Sequence, residues 1–276
     1  MEEKSYSRIC ITGGSGFIGS CLVKKLLGKG HTVHATLRNK GDTSKVDLLK
    51  SFPNAENKLV LFQADIYNPA EFEPAITGCE YVFHVATPLL HNTQSSQYKD
   101  TAEAAVAGVR IIADACIRSK TVKRLIYTAS VMSSSPLTED GVCFKSCIDE
   151  TCWTPFDVSF TYANDFTMFS QELLGSIPLV HIEDICQAHI FCMENQSMKG
   201  RFLCAATNPT IRAIASSFQE KFPEYQIAKE FIEGPDKGVT FDSTKLMKMG
   251  FEYAYDTKKI LDDSVACGRR LGYLIK

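Results

Sequence analysis

Three glycines near the start of the chain have the spacing of a phosphate-binding turn. The stretch "ITGGSGFIGSCLVKKLL" places Gly13, Gly16 and Gly19 between an apolar, β-branched run and an amphipathic helical pattern. In such a turn the backbone N–H groups and the positive end of the helix dipole face the pyrophosphate of a dinucleotide, and a side chain would block its approach. Gly14, Gly16 and Gly19 also fit the looser Gly-x-Gly-x-x-Gly pattern, and a merely tight turn is the alternative. The position between strand and helix favours a dinucleotide site.

Cations that follow the second apolar run, "TVHATL", indicate which dinucleotide is bound. Arg38, Asn39, Lys40 and Lys45 come after this run, and no acid precedes Asp42. A carboxylate at this position would hold the ribose hydroxyls of NAD, whereas the 2′-phosphate of NADP requires an arginine. The sequence therefore predicts NADPH, and a solvated loop of surface cations is the alternative.

A tyrosine in the middle of the chain lacks the lysine that carbonyl chemistry would require. In "SFTYANDFTMFSQELLGSIPLVHIED" Tyr162 is followed four positions later by Phe166. A lysine at that spacing would share a helix face with the tyrosine and lower its pKa, which a phenylalanine cannot do. Two other pairs match this short motif and are interpreted as chance matches, Tyr225 with Lys229 and Tyr255 with Lys259.

The elements that must position these residues alternate between strand and helix. Predicted buried strands are "RICIT", "TVHATL", "LVLFQ", "YVFHV" and "RLIYTA", at 8–12, 32–37, 59–63, 81–85 and 124–129. Strands that alternate with helices predict parallel pairing through crossover helices, hence an α/β fold with a Rossmann doubly wound parallel sheet.

The second part of the chain has a different pattern. After residue 176 helical patterns predominate, near 184–195, 210–221, 243–249 and 257–271, with "RFLCAA" as a brief strand candidate. We therefore predict a dinucleotide-binding Rossmann domain over residues 1–170 and a smaller, mostly helical C-terminal substrate-side region over residues 171–276.

Composition excludes several classes of protein. The chain has 276 residues, 45% of them hydrophobic, and a net charge of -2. Without a basic stripe, nucleic acid is not expected as a partner, and without a run of about 18 apolar residues no membrane association is expected. The N-terminus lacks a leader pattern, and most of the eleven cysteines lie in apolar runs. We expect a cytoplasmic monomer without disulfides.

Several quoted segments together resemble a known family. "TGGSGFIGS", "HATLR", "ADI", "GCEYVFHVATP", "VKRLIYTAS", "DETCW", "VHIEDICQAHIF" and "GRFLCAA" are similar, almost from end to end, to plant dihydroflavonol reductases and their vestitone, anthocyanidin and cinnamoyl-CoA reductase relatives. These are extended short-chain dehydrogenases/reductases. The resemblance implies a cofactor site made of Gly13, Gly16, Phe17, Ile18 and Gly19 at the pyrophosphate, Arg38 and Lys45 at the 2′-phosphate, Asp65 and Ile66 at the adenine, and Val85, Ala86 and Thr87 at the ribose.

The resemblance also implies a mechanism. In this family the nicotinamide delivers hydride to a carbonyl carbon, a tyrosine donates a proton to the oxygen, a serine orients that oxygen, and a lysine binds the ribose and lowers the tyrosine pKa. Ser130 matches the serine. From the residues alone, Asp65 could accept from the adenine amino group or cap a turn.

The helix that would carry the tyrosine and the lysine is absent. By resemblance it follows "DETCW", with the tyrosine close to residue 170, but the chain gives Ser170 and then "QELLGSIPLVHIED", which is similar to a segment well downstream. Two explanations stay open, a true deletion and a segment omitted between Ser170 and Gln171. We favour the omitted segment, because deletion of an interior strand and its helix should expose apolar sheet.

Three functions follow as hypotheses. The leading hypothesis is an NADPH-dependent reductase that transfers hydride to the carbonyl of a flavonoid-like or phenolic substrate and lacks its Tyr-x-x-x-Lys helix. The alternative is a catalytically inactive NADP(H)-binding family member or splice form. A sugar-nucleotide epimerase is the weaker alternative, because fold alone does not separate these activities.

Other clusters suggest metal sites or reactive groups, but each has a structural interpretation. His181, Glu183, Asp184, Cys186 and His189 lie in a pattern predicted as a helix, with the acids in its first turn. No metal site is predicted there, since the two histidines would lie two turns apart. His84 is interpreted as a structural residue of a buried strand, and three cysteines as loop thiols, Cys143, Cys147 and Cys152.

Overall fold

The structure, a computed structural model, divides into two compact units that we describe separately. The first unit comprises Met1–Ala129 together with His189–Met198, and the second comprises Ser130–Ala188 together with Lys199–Lys276. The residues described are 6–87, 98–139, 141, 143–155, 170, 172–233 and 237–274.

A five-stranded parallel sheet of order β3-β2-β1-β4-β5 forms the centre of the first unit. Its strands are β1 (Arg8–Thr12), β2 (Thr32–Leu37), β3 (Leu59–Gln63), β4 (Tyr81–His84) and β5 (Arg124–Tyr127). The chain adds β2 and β3 on one side of β1, and then β4 and β5 on the other side. The crevice beyond the carboxyl ends of β1 and β4 is therefore the topological switch point, where ligands bind in such sheets. The predicted fold class and all five predicted strands are confirmed, with β4 and β5 slightly shorter than expected.

Five helices accompany this sheet in the described part of the first unit, besides a 3₁₀ turn at Pro69–Phe72. They are α1 (Phe17–Gly28), α2 (Thr43–Lys50), α3 (Ala55–Lys58), α4 (Glu73–Ile76) and α5 (Thr101–Ser119). Helix α5 begins where the Asp100 carboxylate accepts from the Glu103 backbone N–H, and it ends before Lys120, which has a φ of 55°. Its small buried residues face a core that contains Ile66, Phe72 and Val82.

The second unit contains two very short strands and several helices. Strands β6 (Cys147–Ile148) and β7 (Thr240–Phe241) pair in parallel, and the helices are α6 (Ile182–Glu194), α7 (Ile211–Lys221), α8 (Lys229–Glu233), α9 (Thr244–Lys248) and α10 (Thr257–Arg270). The four predicted helical patterns are confirmed. The strand predicted at "RFLCAA" is wrong, because residues 201–205 have no regular structure. Instead the neighbouring chain forms single antiparallel bridges, Leu179 with Thr207 and Ser176 with Thr210.

The observed division differs from the expected boundary at residue 170 in two ways: the second unit begins at Ser130, and the end of α6 belongs to the first unit. Arg124 on β5 donates to the backbone carbonyls of Asn195 at 2.7 Å and Gln196 at 2.9 Å, and also to that of Cys192. The last carbonyls of a helix have no partner within it, so a guanidinium there satisfies them and complements the helix dipole. The His189 ring also lies 2.6 Å from the Thr128 hydroxyl.

The chain around the missing segment is partly described. Tyr162, Phe166 and Gln171 lie outside the described residues, but the Leu174 backbone N–H donates to the Ser170 carbonyl at 2.7 Å. Bonds with this i, i+4 spacing are the kind that α-helices form. In the described part of the chain the parallel sheet ends at β5, and "IPLV" lies in the second unit. The true deletion and the omitted segment both stay open, because the join at Gln171 lies outside the described residues.

Within the described ranges, no helix combines the length and the hydropathy that crossing a membrane requires. A cytoplasmic location and a monomeric state stay predictions.

Candidate dinucleotide-binding site

The glycine turn folds against β2 at the switch point of the sheet. The Gly13 N–H donates to the Thr36 hydroxyl at 3.1 Å, and the Gly14 N–H donates to the Thr36 carbonyl at 2.7 Å. Gly13 has a φ of 66°, in the left-handed region that favours glycine. A further bond of 2.9 Å joins the Gly16 N–H to the Gly13 carbonyl. The turn is therefore held by backbone groups and by one strand side chain.

Neighbouring atoms leave no room for side chains in this turn. A Cβ at Gly13 would lie 3.1 Å from Ala86 Cα, and one at Gly14 would lie 2.8 Å from Ala35 Cβ. At Gly19 a Cβ would overlap the Gly13 carbonyl oxygen and lie 2.9 Å from its carbon. Gly19 thus brings the first turn of α1 directly onto the glycine turn, a packing that only glycine permits.

The N-terminus of α1 is suited to an anion. Helix α1 starts at Phe17, its N-cap Gly16 offers no side-chain cap, and its first turn contains no acidic residue. The positive end of the helix dipole therefore meets no protein carboxylate in that turn. Phe17 is exposed, whereas Ile18 is partly buried and Gly19 is buried. The narrow glycine cradle and this helix end together fit a pyrophosphate.

A buried threonine joins the glycine turn to the loop after β4. The Thr12 hydroxyl accepts from the N–H groups of Val85 and Ala86, both at 3.1 Å, and lies 2.8 Å from His84 Nδ1. Two accepted bonds leave the hydroxyl its single proton, which must go to Nδ1. His84 is therefore neutral, and burial lowers its pKa to about 4. The structural interpretation of His84 is supported, and this bond network positions the predicted ribose residues.

Acid should weaken the protein through His84. Its pKa is about 4 in the folded protein against 6.5 ordinarily. The unfolded chain therefore binds the proton more readily, and stability that is present above about pH 6.5 is lost as the pH falls toward 4. By about pH 5 we expect a loss of about 2 kcal/mol in the free energy of unfolding from this residue. Urea unfolding at about pH 7.5 and pH 5 measures it.

The variant His84→Gln supplies the comparison for this acid effect. Glutamine keeps an acceptor for Thr12 but does not titrate. The pH-dependent loss should shrink in the variant without disappearing, because burial also lowers the pKa of His31 and His34. An unchanged pH dependence in His84→Gln would contradict the prediction.

The two predicted 2′-phosphate residues follow β2 along the chain, and both are paired with carboxylates. Arg38 follows the last residue of β2 and is 70% exposed, and its Nε lies 3.6 Å from Asp65 Oδ2. Lys45, in the first turn of α2, places its Nζ 2.9 Å from Asp42 Oδ2. A phosphate that binds here must compete with these two carboxylates.

The two predicted adenine-binding residues, Asp65 and Ile66, also have structural roles. Asp65 caps a turn, because its side chain accepts from the Tyr67 N–H at 3.1 Å and its carbonyl from the Asn68 N–H at 2.8 Å. Ile66 is 5% exposed and belongs to the core beneath α5, where a Cβ at Gly108 would lie 2.6 Å from its Cδ1. Contact of Asp65 and Ile66 with adenine stays a prediction. Because the Ile66 side chain is buried in the core, Ile66 could contact adenine only through its backbone.

Ser130 stands at the start of the second unit. It lies three residues beyond β5 along the chain and is exposed. Its hydroxyl accepts from the Met132 N–H at 3.2 Å and so caps the 3₁₀ turn Val131–Ser133. The structure gives it no catalytic partner among the described residues, and its role in orienting a carbonyl stays a prediction.

Neither of the other Tyr-x-x-x-Lys matches forms a catalytic pair. Tyr225 lies in the loop before α8, whose first residue is Lys229, and its hydroxyl accepts from Arg269 Nε at 3.1 Å. Tyr255 precedes Asp256, the N-cap of α10, and so lies outside the helix that contains Lys259. The two members of each pair therefore do not share a helix face, as the interpretation of chance matches expects.

The cluster around His181 is structural. Its ring stacks on Tyr255 with centroids 3.9 Å apart, and its Nε2 lies 3.1 Å from Asp263 Oδ2. The Asp184 carboxylate accepts the N–H groups of Ala254 and Tyr255 at 3.0 and 3.2 Å. Among the described residues no group of three or more His, Cys, Asp or Glu is arranged to hold a metal ion. None of the eleven cysteines, all of which lie in the described residues, forms a disulfide.

Sequence reasoning missed two residues of the site, Thr12 and Thr36. Both are buried, each near the carboxyl end of a strand, and their hydroxyls hold the β4 loop and the glycine turn respectively. A signal was available, because a polar side chain that ends an apolar strand must find hydrogen-bond partners if it is buried. The sequence identifies Asp42 only as the first acid after Arg38 and Lys40, and it does not indicate the ion pair between Asp42 and Lys45.

Comparison with known proteins identifies one family and several similar reductases. The model of the NAD dependent epimerase/dehydratase family matches residues 9–164. Dihydroflavonol 4-reductase of Callistephus chinensis is 31% identical over 328 residues, which cover 99% of this chain and 90% of the relative. Anthocyanidin reductase ((2S)-flavan-3-ol-forming) of Vitis vinifera is 30% identical, with 96% of each chain covered. The structure of vestitone reductase from alfalfa (Medicago sativa) has a TM-score of 0.76 and 28% identity, covering 97% of this chain and 100% of that one.

The length of these alignments bears on the missing helix. The alignment with the Callistephus protein spans 328 positions, whereas this chain has 276 residues, so at least 52 positions of the relative have no counterpart here. The relative is nevertheless covered almost to its full length. The shortfall is therefore largely internal, as both a true deletion and an omitted segment require.

Proposed function

We propose, since this chain belongs to the NAD dependent epimerase/dehydratase family and to its dihydroflavonol reductase-like branch, that it binds NADPH as an oxidoreductase of phenolic, flavonoid-like carbonyl compounds. The observation that carries the proposal is the glycine cradle between β1 and α1, with two cations beyond the end of β2. When bound, the cofactor supplies a hydride for the carbonyl carbon of the substrate.

Each part of the cofactor has candidate residues in the first unit. Gly13, Gly16, Phe17, Ile18 and Gly19 would face the pyrophosphate through their backbone and the dipole of α1. Val85, Ala86 and Thr87, held by Thr12, would border the ribose, and Asp65 and Ile66 would border the adenine. Arg38 and Lys45 would bind the 2′-phosphate, for which charge-assisted hydrogen bonds are strong.

The chain is proposed to carry out the family reaction only slowly. Ser130 would orient the carbonyl oxygen, but the resemblance leaves no tyrosine with a lysine one helical turn away to donate the proton. If no reduction is detectable at all, the chain is the catalytically inactive NADP(H)-binding family member or splice form of the alternative hypothesis. Epimerisation is less supported, because the similar curated proteins are named reductases.

NADPH should bind at least about tenfold more tightly than NADH, and Arg38→Asp should abolish or reverse that preference. The substitution removes a cationic partner of the 2′-phosphate and puts a carboxylate in its place, which is the arrangement that favours NAD. Isothermal titration with both cofactors measures the ratio of their dissociation constants.

The matched control is Arg110→Asp, which makes the same charge change at an exposed position of α5. It should leave the NADPH preference unchanged. Equal affinity of the unmodified chain for NADPH and NADH would refute the cofactor assignment.

A further inference from the structure

Both cations of the candidate 2′-phosphate site are already engaged by carboxylates, but not equally. The Lys45 Nζ lies 2.9 Å from Asp42 Oδ2, within hydrogen-bond distance. The Arg38 Nε lies 3.6 Å from Asp65 Oδ2, beyond a good hydrogen bond. A phosphate must therefore share the Lys45 ammonium with a carboxylate that is already bound to it, whereas Arg38 is loosely held.

The Asp42 carboxylate cannot readily move away from Lys45. Asp42 is the N-cap of α2, and its Oδ1 accepts from the Lys45 backbone N–H at 3.3 Å and from the Ser44 hydroxyl at 2.6 Å. Turning the carboxylate outward would uncap the helix. Hydrogen bonds from Ser44 and Lys45 lower the pKa of Asp42 to about 2, so it is ionised throughout the neutral range.

We propose that Asp42 limits the selectivity of the site for 2′-phosphorylated ligands, because it competes with the 2′-phosphate for the Lys45 ammonium. This inference rests on the proposed function. A phosphate oxygen that accepts from Lys45 Nζ lies about 3 Å from it, and so within roughly 6 Å of the Asp42 carboxylate. Two like charges at that separation repel each other. NADH lacks the phosphate, so Asp42 does not affect its binding.

The variant Asp42→Asn isolates the carboxylate charge. Asparagine is as good an N-cap as aspartate, so α2 keeps its start while the competing charge disappears. We expect affinity for NADPH and for adenosine 2′,5′-bisphosphate to rise by roughly 3- to 10-fold, with no change for NADH and 5′-AMP. Adenosine 2′,5′-bisphosphate and 5′-AMP differ only in the 2′-phosphate and have no nicotinamide. Their affinities therefore measure the effect of the 2′-phosphate alone, without turnover. The gain should diminish at high salt, because both charges are near the surface.

Two further variants make the test specific. Asp47→Asn removes the same charge from an exposed position of α2 and should leave every affinity unchanged. Asp42→Ser keeps a capping residue and should reproduce the gain of Asp42→Asn. Thermal unfolding of each variant establishes that α2 remains folded.

The outcomes separate this inference from the proposed function. If Asp42→Asn and Asp42→Ser give no gain, or if Asp47→Asn gives an equal one, competition by Asp42 is refuted while NADPH binding stands. If the unmodified chain binds neither NADPH nor NADH, the proposed function fails first, before any variant is compared, and the inference fails with it.

Discussion

Carbonyl reduction by this chain is expected to be at least about 100-fold slower than by the same chain with a Tyr-x-x-x-Lys helix restored. A positioned proton donor typically contributes about 100- to 10,000-fold to such a step, and a serine hydroxyl cannot supply the proton at neutral pH. Binding of the cofactor should be similar in both chains, because the candidate cofactor residues all precede Ser130.

The restored chain is made by inserting the unmatched internal segment of the Callistephus relative between Ser170 and Gln171. Oxidation of NADPH with a dihydroflavonol as acceptor is followed by absorbance in both chains. The matched control carries the same insert with its catalytic tyrosine replaced by phenylalanine, and it should return to the slow rate. Fast turnover by the unmodified chain that is lost in Tyr162→Phe would show that Tyr162 acts as the donor and that the prediction is wrong.

Dinucleotide affinity should fall about 5- to 150-fold in Gly19→Ala, for NADPH and NADH alike, as expected for an overpacking cost of about 1–3 kcal/mol. The new Cβ would overlap the Gly13 carbonyl oxygen, so α1 and the glycine turn must separate. Because the contact is with backbone, no side chain can rotate to make room. Isothermal titration measures the loss, and thermal unfolding shows whether the variant remains folded.

Helix α1 contains its own control for this substitution. At Gly28, the last residue of the helix, a Cβ would meet no atom within 4 Å. Gly28→Ala should therefore bind both cofactors as before, and it should be slightly more stable because alanine favours the helix. A Gly19→Ala protein that binds like Gly28→Ala would falsify the account of the glycine cradle.

Sequence patterns were sufficient for elements that carry their own signal. Strands β1, β2 and β3 begin and end where the apolar runs do, because a parallel strand that is covered by helices is apolar along its length. Strands β6 and β7 were missed because they have two residues each, too few for any periodicity. At "RFLCAA" an apolar run was mistaken for a strand, and apolarity alone does not distinguish a strand from an irregular buried segment.

The candidate site was predictable where local spacing defines it and not where distant residues meet. The glycine turn follows from spacing within a single stretch of chain. The bond from Thr12 to the loop after β4 joins residues more than 70 positions apart, and the bonds from Arg124 to the end of α6 join residues about as far apart. No pattern within a window of sequence indicates such pairs. The Asp42–Lys45 pair is local in sequence. Even so, the sequence does not show whether the Lys45 side chain turns toward Asp42, the N-cap of its helix, or toward a bound phosphate.

The Arg124 bonds have a consequence for how the protein is made. The first unit ends at Ala129 and is completed only by His189–Met198, so a ribosome must synthesise about 70 further residues before the carbonyls that Arg124 binds exist. At about 5–20 residues per second the nascent sheet waits several seconds without these bonds. During that interval the Arg124 guanidinium lacks its carbonyl partners, so β5 is held less firmly in the newborn chain than in the finished protein.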